Sequence, residues 1–265
     1  MGAWTAVITA LLAGSHRGPC AGLAPGSQPS APTAMQIGAL GDIHGAFDTV
    51  LDIMTRHSDV PLWISVGDVA SNDGQYFTPV APLYWIKGNN EDFDVIAAAL
   101  AGQPPAPTLV YLRNGGPHQV GPWRVAALGG TFAPSWYNTP AAALPPSKGR
   151  KNAAASLKLG KSRDDKRRHF VRDEVLACKA LGGIDVFLTH EAARPFYPAG
   201  RRIDAGKTVI NDILAAMRPR LHLFGHHHEF TDSVRQGVRS IGLDVVTKSY
   251  LLVDAHTLRC ERLDT

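Results

Sequence analysis

Apolar runs and helical stripes alternate along most of this chain. From Met35, "MQIGAL" is a short apolar run that stops at Gly41. Phe47, Val50, Leu51 and Met54 then recur at helical spacing. "PLWISV" and "PLYWIK" are two further runs, ended by Gly67 and Gly88. The pattern predicts a helix from Glu91 to Leu100, stopped by "GQPPAP". "TLVYL" and "WRVAALGG" read as strands, with Trp63 and Trp85 placed in the core rather than on a base-stacking surface. Val171, Val175 and Cys178 form a helical stripe, closed by Gly182 and Gly183. "IDVFLTH" is a strand ending in His190, "VINDILAAM" a helix, and "RLHLFGHHH" a strand that runs into histidines. The tail, from "VRSIGL" through "SYLLVDA" to "LRCERL", is strand-rich. Helices alternating with buried strands predict an α/β fold with a largely parallel sheet. No internal repeat is visible.

Two segments break this pattern. In residues 1–34, "AWTAVITALLAG" has the length of a short export-signal core, but no Lys or Arg precedes it. "GPCAGLAPGSQPSAPTA" then has a linker's composition. The expectation is a disordered extension, with Met35 as the alternative start and a cleaved export signal as the rival. The second segment is a basic insert, 145–172, with ten Lys or Arg side chains against Asp164 and Asp165. A stretch of that length is either a solvated loop or a functional one, here a phosphate-binding flap. Residues 35–265 are expected to form the one folded domain.

Composition narrows the class. A chain of 265 residues with 45% hydrophobic and 19% charged positions is an ordinary globular protein. Its formal charge of +4 leans towards a phosphorylated or polyanionic partner. Cys20, Cys178 and Cys260 are odd in number and far apart. That argues against a disulfide framework and fits a reducing, cytoplasmic compartment. No apolar run reaches the roughly 18 residues of a membrane span.

The chemistry lies just after the apolar runs. "GDIHG" supplies Asp42 and His44, "GDV" Asp68, "GNNE" Asn89, "LTH" His190, and "GHHH" His226 and His228. Each falls at the expected carboxyl end of a strand, the edge where open α/β sheets bind ligands. Seven oxygen and nitrogen donors gathered there require a cation, since they would otherwise repel or stay unsatisfied. Imidazole mixed with carboxylate and amide oxygen suits Mn, Fe or Zn better than Ca. One shared carboxylate would allow two ions about 3.5–4 Å apart. Singly, each motif is no more than a turn, a cap or a packed histidine; their order makes the case. His222, inside an apolar run, reads as packed.

In these residues the chain resembles the calcineurin-like metallophosphoesterase superfamily, whose pattern is D-x-H, GD, GNH-[DE], H, GH-x-H. The resemblance implies a four-layer α/β/β/α sandwich of two mixed sheets flanked by helices. It implies a dinuclear centre with Mn²⁺ preferred and Fe or Zn as alternatives. Asp42, His44 and His228 would hold one ion and Asn89, His190 and His226 the other. Asp68 would bridge them, and His227 would be a solvent-facing spacer. "ALGGTF", "RRHFVRDEV" and "IDVFLTHEAARPF" further resemble the lariat-debranching enzymes and their bacterial relatives. Those relatives place a recognition loop where the basic insert lies, but carry Cys at the position of Asp42 and a long C-terminal region that this chain lacks.

Asn90 departs from the family pattern, which has His there. Asn donates a hydrogen bond but delivers no proton at neutral pH. Glu91 is the neighbouring candidate to replace it, and His44 the nearest catalytic histidine. A bland reading makes Asn90 the cap of the following helix. The implied reaction is phosphoester hydrolysis by hydroxide generated between the two ions. The basic insert favours nucleotide or nucleic-acid diesters, with Arg163, Arg167 and Arg168 on flanking phosphates. Phosphomonoesters come second. Protein-phosphatase activity ranks low because "GDVASND" lacks the Asp-Arg-Gly continuation of those enzymes. A non-catalytic metal-binding interaction scaffold is the rival from another class. Nothing in the sequence indicates a membrane partner or an oligomeric state.

Overall fold

Side chains along a strand alternate between its faces, and β1 (Gln36–Leu40) shows the consequence. Ile37 and Ala39 enter one buried cluster while Leu40 enters another. The computed structural model describes residues 35–147 and 164–265. The expected extension over 1–34, and Arg163 with most of the basic insert, lie outside them.

β1 pairs in parallel with β2 (Trp63–Ser65), followed by β3 (Leu83–Trp85) and β4 (Leu109–Tyr111). Its other edge takes β11 (Ser249–Asp254) antiparallel, and β11 carries β12 (Cys260–Asp264). The second sheet runs in the order β5 (Pro117–Val120), β6 (Trp123–Leu128), β7 (Val186–Thr189), β8 (Leu221–Phe224), β10 (Val238–Gly242), β9 (Thr231–Arg235). Its four central strands are parallel, and β5 and β9 are antiparallel edges.

Inward faces of both sheets meet in one apolar layer, with Ile37, Ile64 and Val253 from the first against Val125, Leu188 and Leu223 from the second. The outer face of the first sheet is covered by α1 (Phe47–Arg56) and α2 (Phe93–Leu100), through Val50, Ile53, Phe93 and Ile96. The outer face of the second is covered by α3 (Arg172–Lys179) and α4 (Thr208–Met217), through Val175, Cys178, Ile210 and Leu214. The architecture is the expected four-layer α/β/β/α sandwich of two mixed sheets. Each such aliphatic side chain taken fully from water contributes about 1.5–3 kcal/mol. Trp63 and Trp85 are fully buried, as expected. Trp63 lies opposite Gly38 across the parallel pair, and a Cβ on Gly38 would run into the indole ring.

The structure goes beyond or departs from the sequence pattern in three places. The tail serves both sheets: β9 and β10 complete the second, but β11 and β12 return to the first, because Leu251 and Val253 fit the inter-sheet layer beside β1. β5 and β9 went unread, since edge strands such as "TDSVR" carry no apolar alternation. α2 begins at Phe93 rather than Glu91. Its N-cap is Asp92, whose carboxylate accepts from the amides of Asp94 and Val95. Neither Glu91 nor Asn90 caps it.

Candidate metal centre

Parallel strands end along one edge, so the loops after β1, β2 and β3 meet the loops after β7 and β8. Those loops carry Asp42 and His44, Asp68, Asn89, His190, and His226 and His228. Four of the seven hold a left-handed backbone: His44 (φ 48°), Asp68 (52°), His226 (70°) and His228 (54°). Such non-glycine conformations persist where the surroundings enforce them, and they gather at functional sites. Glycines clear the remaining space. A Cβ on Gly88 would collide with the Asp68 carboxylate, and one on Gly225 with that of Asp42.

Two groups of donors result. The ligand atoms of Asp42, His44 and His228 lie within 4.8 Å of one another, as do those of Asp42, Asp68 and His190. His228 Nε2 is 3.0 Å from Asp42 Oδ2 and 3.1 Å from His44 Nε2. His44 Nε2 stands 3.7 Å from both Asp42 Oδ2 and Asp68 Oδ2. On the other side, His190 Nε2 is 3.6 Å from Asp68 Oδ1 and 3.2 Å from Asn89 Oδ1. The His226 ring packs at 4.9 Å from that of His190. The floor is closed, with Asp42 and Asp68 1% exposed and His190 0%. The mouth is open at His44 and His228, whose side chains are 31% and 45% exposed.

Charges at the floor are tightly balanced. Burial works against the Asp42 carboxylate, yet His228, His190 and the His226 amide hold its pKa below the usual value. Burial raises that of Asp68, with Asp42 beside it adding to the effect. Burial opposes the charged form of His190, but Asp68 and Asp42 outweigh it and raise its pKa. Burial drives His226 down to about 3, so it stays a neutral donor.

These residues fit divalent cations. His190 Nδ1 lies 2.9 Å from the carbonyl of Val66, which can only accept, so Nδ1 carries the hydrogen. A neutral His190 then aims its Nε2 lone pair at the Asn89 and Asp68 oxygens. Lone pairs converging from three sides suit a cation, and a partner on the far ring nitrogen is what orients metal-binding histidines.

The neighbours divide differently from the sequence expectation. Asn90 lies at the mouth, its amide N–H donating to Asp68 Oδ1 (2.7 Å) and its Nδ2 3.5 Å from His44 Nδ1. Glu91 turns away from it. Its carboxylate accepts from the amides of Val69, Ala70 and Gly88 and from the Tyr76 hydroxyl. Burial, with Asp68 nearby, lifts its pKa to about 8. Four donors fix Glu91 as a tie between the Asp68 and Asn89 loops, which corrects the idea that it replaces the missing histidine. His227 does not face solvent freely; its ring is half-buried and stacks on Phe196 at 4.4 Å. His222 is buried, as expected, between Thr189 and Ser240 hydroxyls.

The return limb of the insert is anchored here. Lys87, buried just before the Asn89 loop, donates to the carbonyls of Arg167 and His169. Sequence reading missed this contact; a lysine closing the apolar run "LYWIK" was its only signal. Arg167 pairs with Asp165 (2.6 Å) and Asp94 (2.8 Å). Arg168 follows it in a half-buried turn.

Residues 35–246 match the model of the calcineurin-like phosphoesterase superfamily domain. No curated protein matches the chain. Among solved structures, one crystal structure is 10% identical with a TM-score of 0.61, over 88% of this chain and 99% of its own. The crystal structure of TT1561 of Thermus thermophilus is 12% identical with a TM-score of 0.55, over 88% and 99%. At these identities the likeness is one of fold. The phosphopantetheinyl hydrolase PptH from Mycobacterium tuberculosis is 16% identical over 80% of this chain and 90% of its own, and its TM-score of 0.47 carries no argument.

Proposed function

This chain belongs to the calcineurin-like phosphoesterase superfamily, and we propose that it is a two-metal phosphodiesterase acting on nucleotides or nucleic acid. As a member it is a metal-dependent phosphoester hydrolase. The observation that carries the finer reading is the meeting of two donor groups at the shared Asp42 carboxylate, with the Asp68 carboxylate 3.7 Å from His44 and 3.6 Å from His190. In the proposal, Asp42, His44 and His228 hold one ion, Asn89, His190 and His226 the other, and Asp68 lies between. Mn²⁺ is the first choice for both, then Fe or Zn. Bound there, two divalent ions supply Lewis acidity towards phosphoryl oxygens and an acidified water.

The protein's own groups do the rest. The closed floor excludes bulk water and strengthens every electrostatic contact made there. The open mouth admits the ester beside His44, the nearest group to a departing oxygen. Asn90 donates a hydrogen bond but no proton, so esters with good leaving groups are favoured. The return limb of the basic insert supports the diester reading. Arg167 gives that limb a fixed, internally paired cation, while Arg163 and Arg168 are proposed to meet flanking phosphates. A cytoplasmic location is proposed from the cysteine usage. Among the described residues no helix is long and apolar enough to cross a membrane.

The test is hydrolysis of bis-p-nitrophenyl phosphate beside p-nitrophenyl phosphate with added Mn²⁺. The diester is expected to turn over faster, and Asp68→Asn to cut that rate by about 10³-fold, the several kcal/mol of a metal site. A monoester preference would move the assignment to a phosphatase. Metal bound without turnover of either would make the protein a scaffold.

A further inference from the structure

A loop outside the donor set lies beside its open mouth. Residues 194–206 leave the strand that delivers His190 and return to α4. Their neck is sealed by Asp204. Its Oδ1 accepts from the amides of Phe196 and Gly206, both at 2.9 Å, and its Oδ2 from Arg194 Nε at 2.6 Å. Asn211 on α4 holds both the amide and the carbonyl of Arg194. Phe196 is buried, stacked on His227 and edge-on to Phe224. The Ala199 amide donates to Glu229 Oε2 at 2.7 Å, one residue past His228. The loop is thus tied to the segment that carries His226 and His228.

Its tip is dressed differently. Tyr197 is 56% exposed and Ile203 80%, both large apolar groups left in water. Arg201 and Arg202 are exposed and have no carboxylate partner among the described residues. No acid lies between 197 and 203, and Asp204 is spent on the neck. An exposed aromatic ring and two cations without carboxylate partners on one anchored loop match what sequence-tolerant binders of single strands use: base stacking and phosphate attraction. An acidic peptide would satisfy the two arginines but offer Tyr197 no base to stack on.

We propose that the 197–203 tip holds the nucleotides adjoining the scissile phosphate of a single-stranded nucleic acid, with Tyr197 stacking on a base and Arg201 and Arg202 on its phosphates. This rests on the phosphodiesterase reading. It makes the tip a second substrate arm, on the His228 side of the mouth, besides the basic insert. A neck sealed before substrate arrives lowers the ordering cost of binding.

The experiment uses the full chain with Mn²⁺ and two substrates, a short fluorescein-labelled oligothymidylate and bis-p-nitrophenyl phosphate. The quantity read is the ratio of kcat/KM on the first to that on the second. Tyr197→Ala is expected to lower it about tenfold, and Tyr197→Phe to restore it, because stacking needs the ring and not the hydroxyl. Arg201→Ala with Arg202→Ala should lower it and flatten its salt dependence by about one to two units of log–log slope. Anisotropy of the labelled oligothymidylate in EDTA should show the same order of affinities without turnover. Equal ratios and equal affinities in Tyr197→Ala and the parent would overturn the proposal, as would an oligothymidylate that neither binds nor reacts. Turnover of neither substrate, with the oligothymidylate still bound, would instead remove the phosphodiesterase reading, with the anisotropy still deciding the loop.

Discussion

His190, just past the end of β7, and His222, inside the neighbouring β8, are both wholly buried and do opposite things. His190 gives one ring hydrogen to Val66 and turns its other nitrogen to the donor cluster. His222 spends both nitrogens on the hydroxyls of Thr189 and Ser240, and burial pushes its pKa down to about 3. The sequence separates the two, since His222 lies within an apolar run and His190 at the end of one. It does not separate His227 from solvent, because Phe196, its stacking partner, is 31 positions away. A buried neutral His222 makes stability pH-dependent. Its folded pKa lies below the unfolded 6.5, so between those values only the unfolded chain takes the proton. Stability is therefore complete above pH 6.5 and drains as pH falls towards 3, by up to about 1.4 kcal/mol per unit. Between pH 7 and 5, in EDTA, His222→Gln should lose about 2 kcal/mol less than the parent in urea unfolding. An equal loss in the two proteins would show that His222 does not set this dependence.

Helix α2 shows how an element boundary serves the site. Helical spacing alone carries the helix back to Glu91, but Asp92 stops it by capping Asp94 and Val95. That two-residue exclusion frees Glu91 to accept from Val69, Ala70 and Gly88, which holds the Asp68 loop against the Asn89 loop. No local pattern in "GNNEDF" announces this, because three of the four donors to Glu91, from Val69, Ala70 and Tyr76, lie in the segment after β2. Asp92→Ala should lower stability by about 1 kcal/mol, read from the denaturant midpoint at unchanged slope. A midpoint equal to the parent's would remove the capping role. At β9 and β5 the same limit applies: edge strands need a partner's hydrogen bonds, not an apolar stripe, and the partner is invisible locally.

At the scale of the whole molecule, two sheets bring five loops to one buried floor, and the floor is charged. Asp42 and Asp68 sit with Asp68 destabilised by burial and by its neighbour. A cation bound there stabilises the folded state alone, by about 4 kcal/mol at a thousand times its Kd. Mn²⁺ should therefore raise the Tm of EDTA-treated protein by roughly 8–16 °C. Asp68→Asn should abolish most of that rise; a Tm indifferent to Mn²⁺, Fe²⁺ and Zn²⁺ would exclude a divalent centre. By itself the sequence determined the alternation of strands and helices and which polar residues follow each strand, because periodicity and glycine placement act over a few residues; the sandwich was implied by the family resemblance those residues carry. Only the tertiary structure decided which sheet takes β11 and β12, that Glu91 ties two loops, that Lys87 anchors the insert, and that the 197–203 tip stands beside the mouth. Each of those depends on backbone groups brought together from distant segments, and the order of residues along the chain carries no record of where an amide or carbonyl will find its partner.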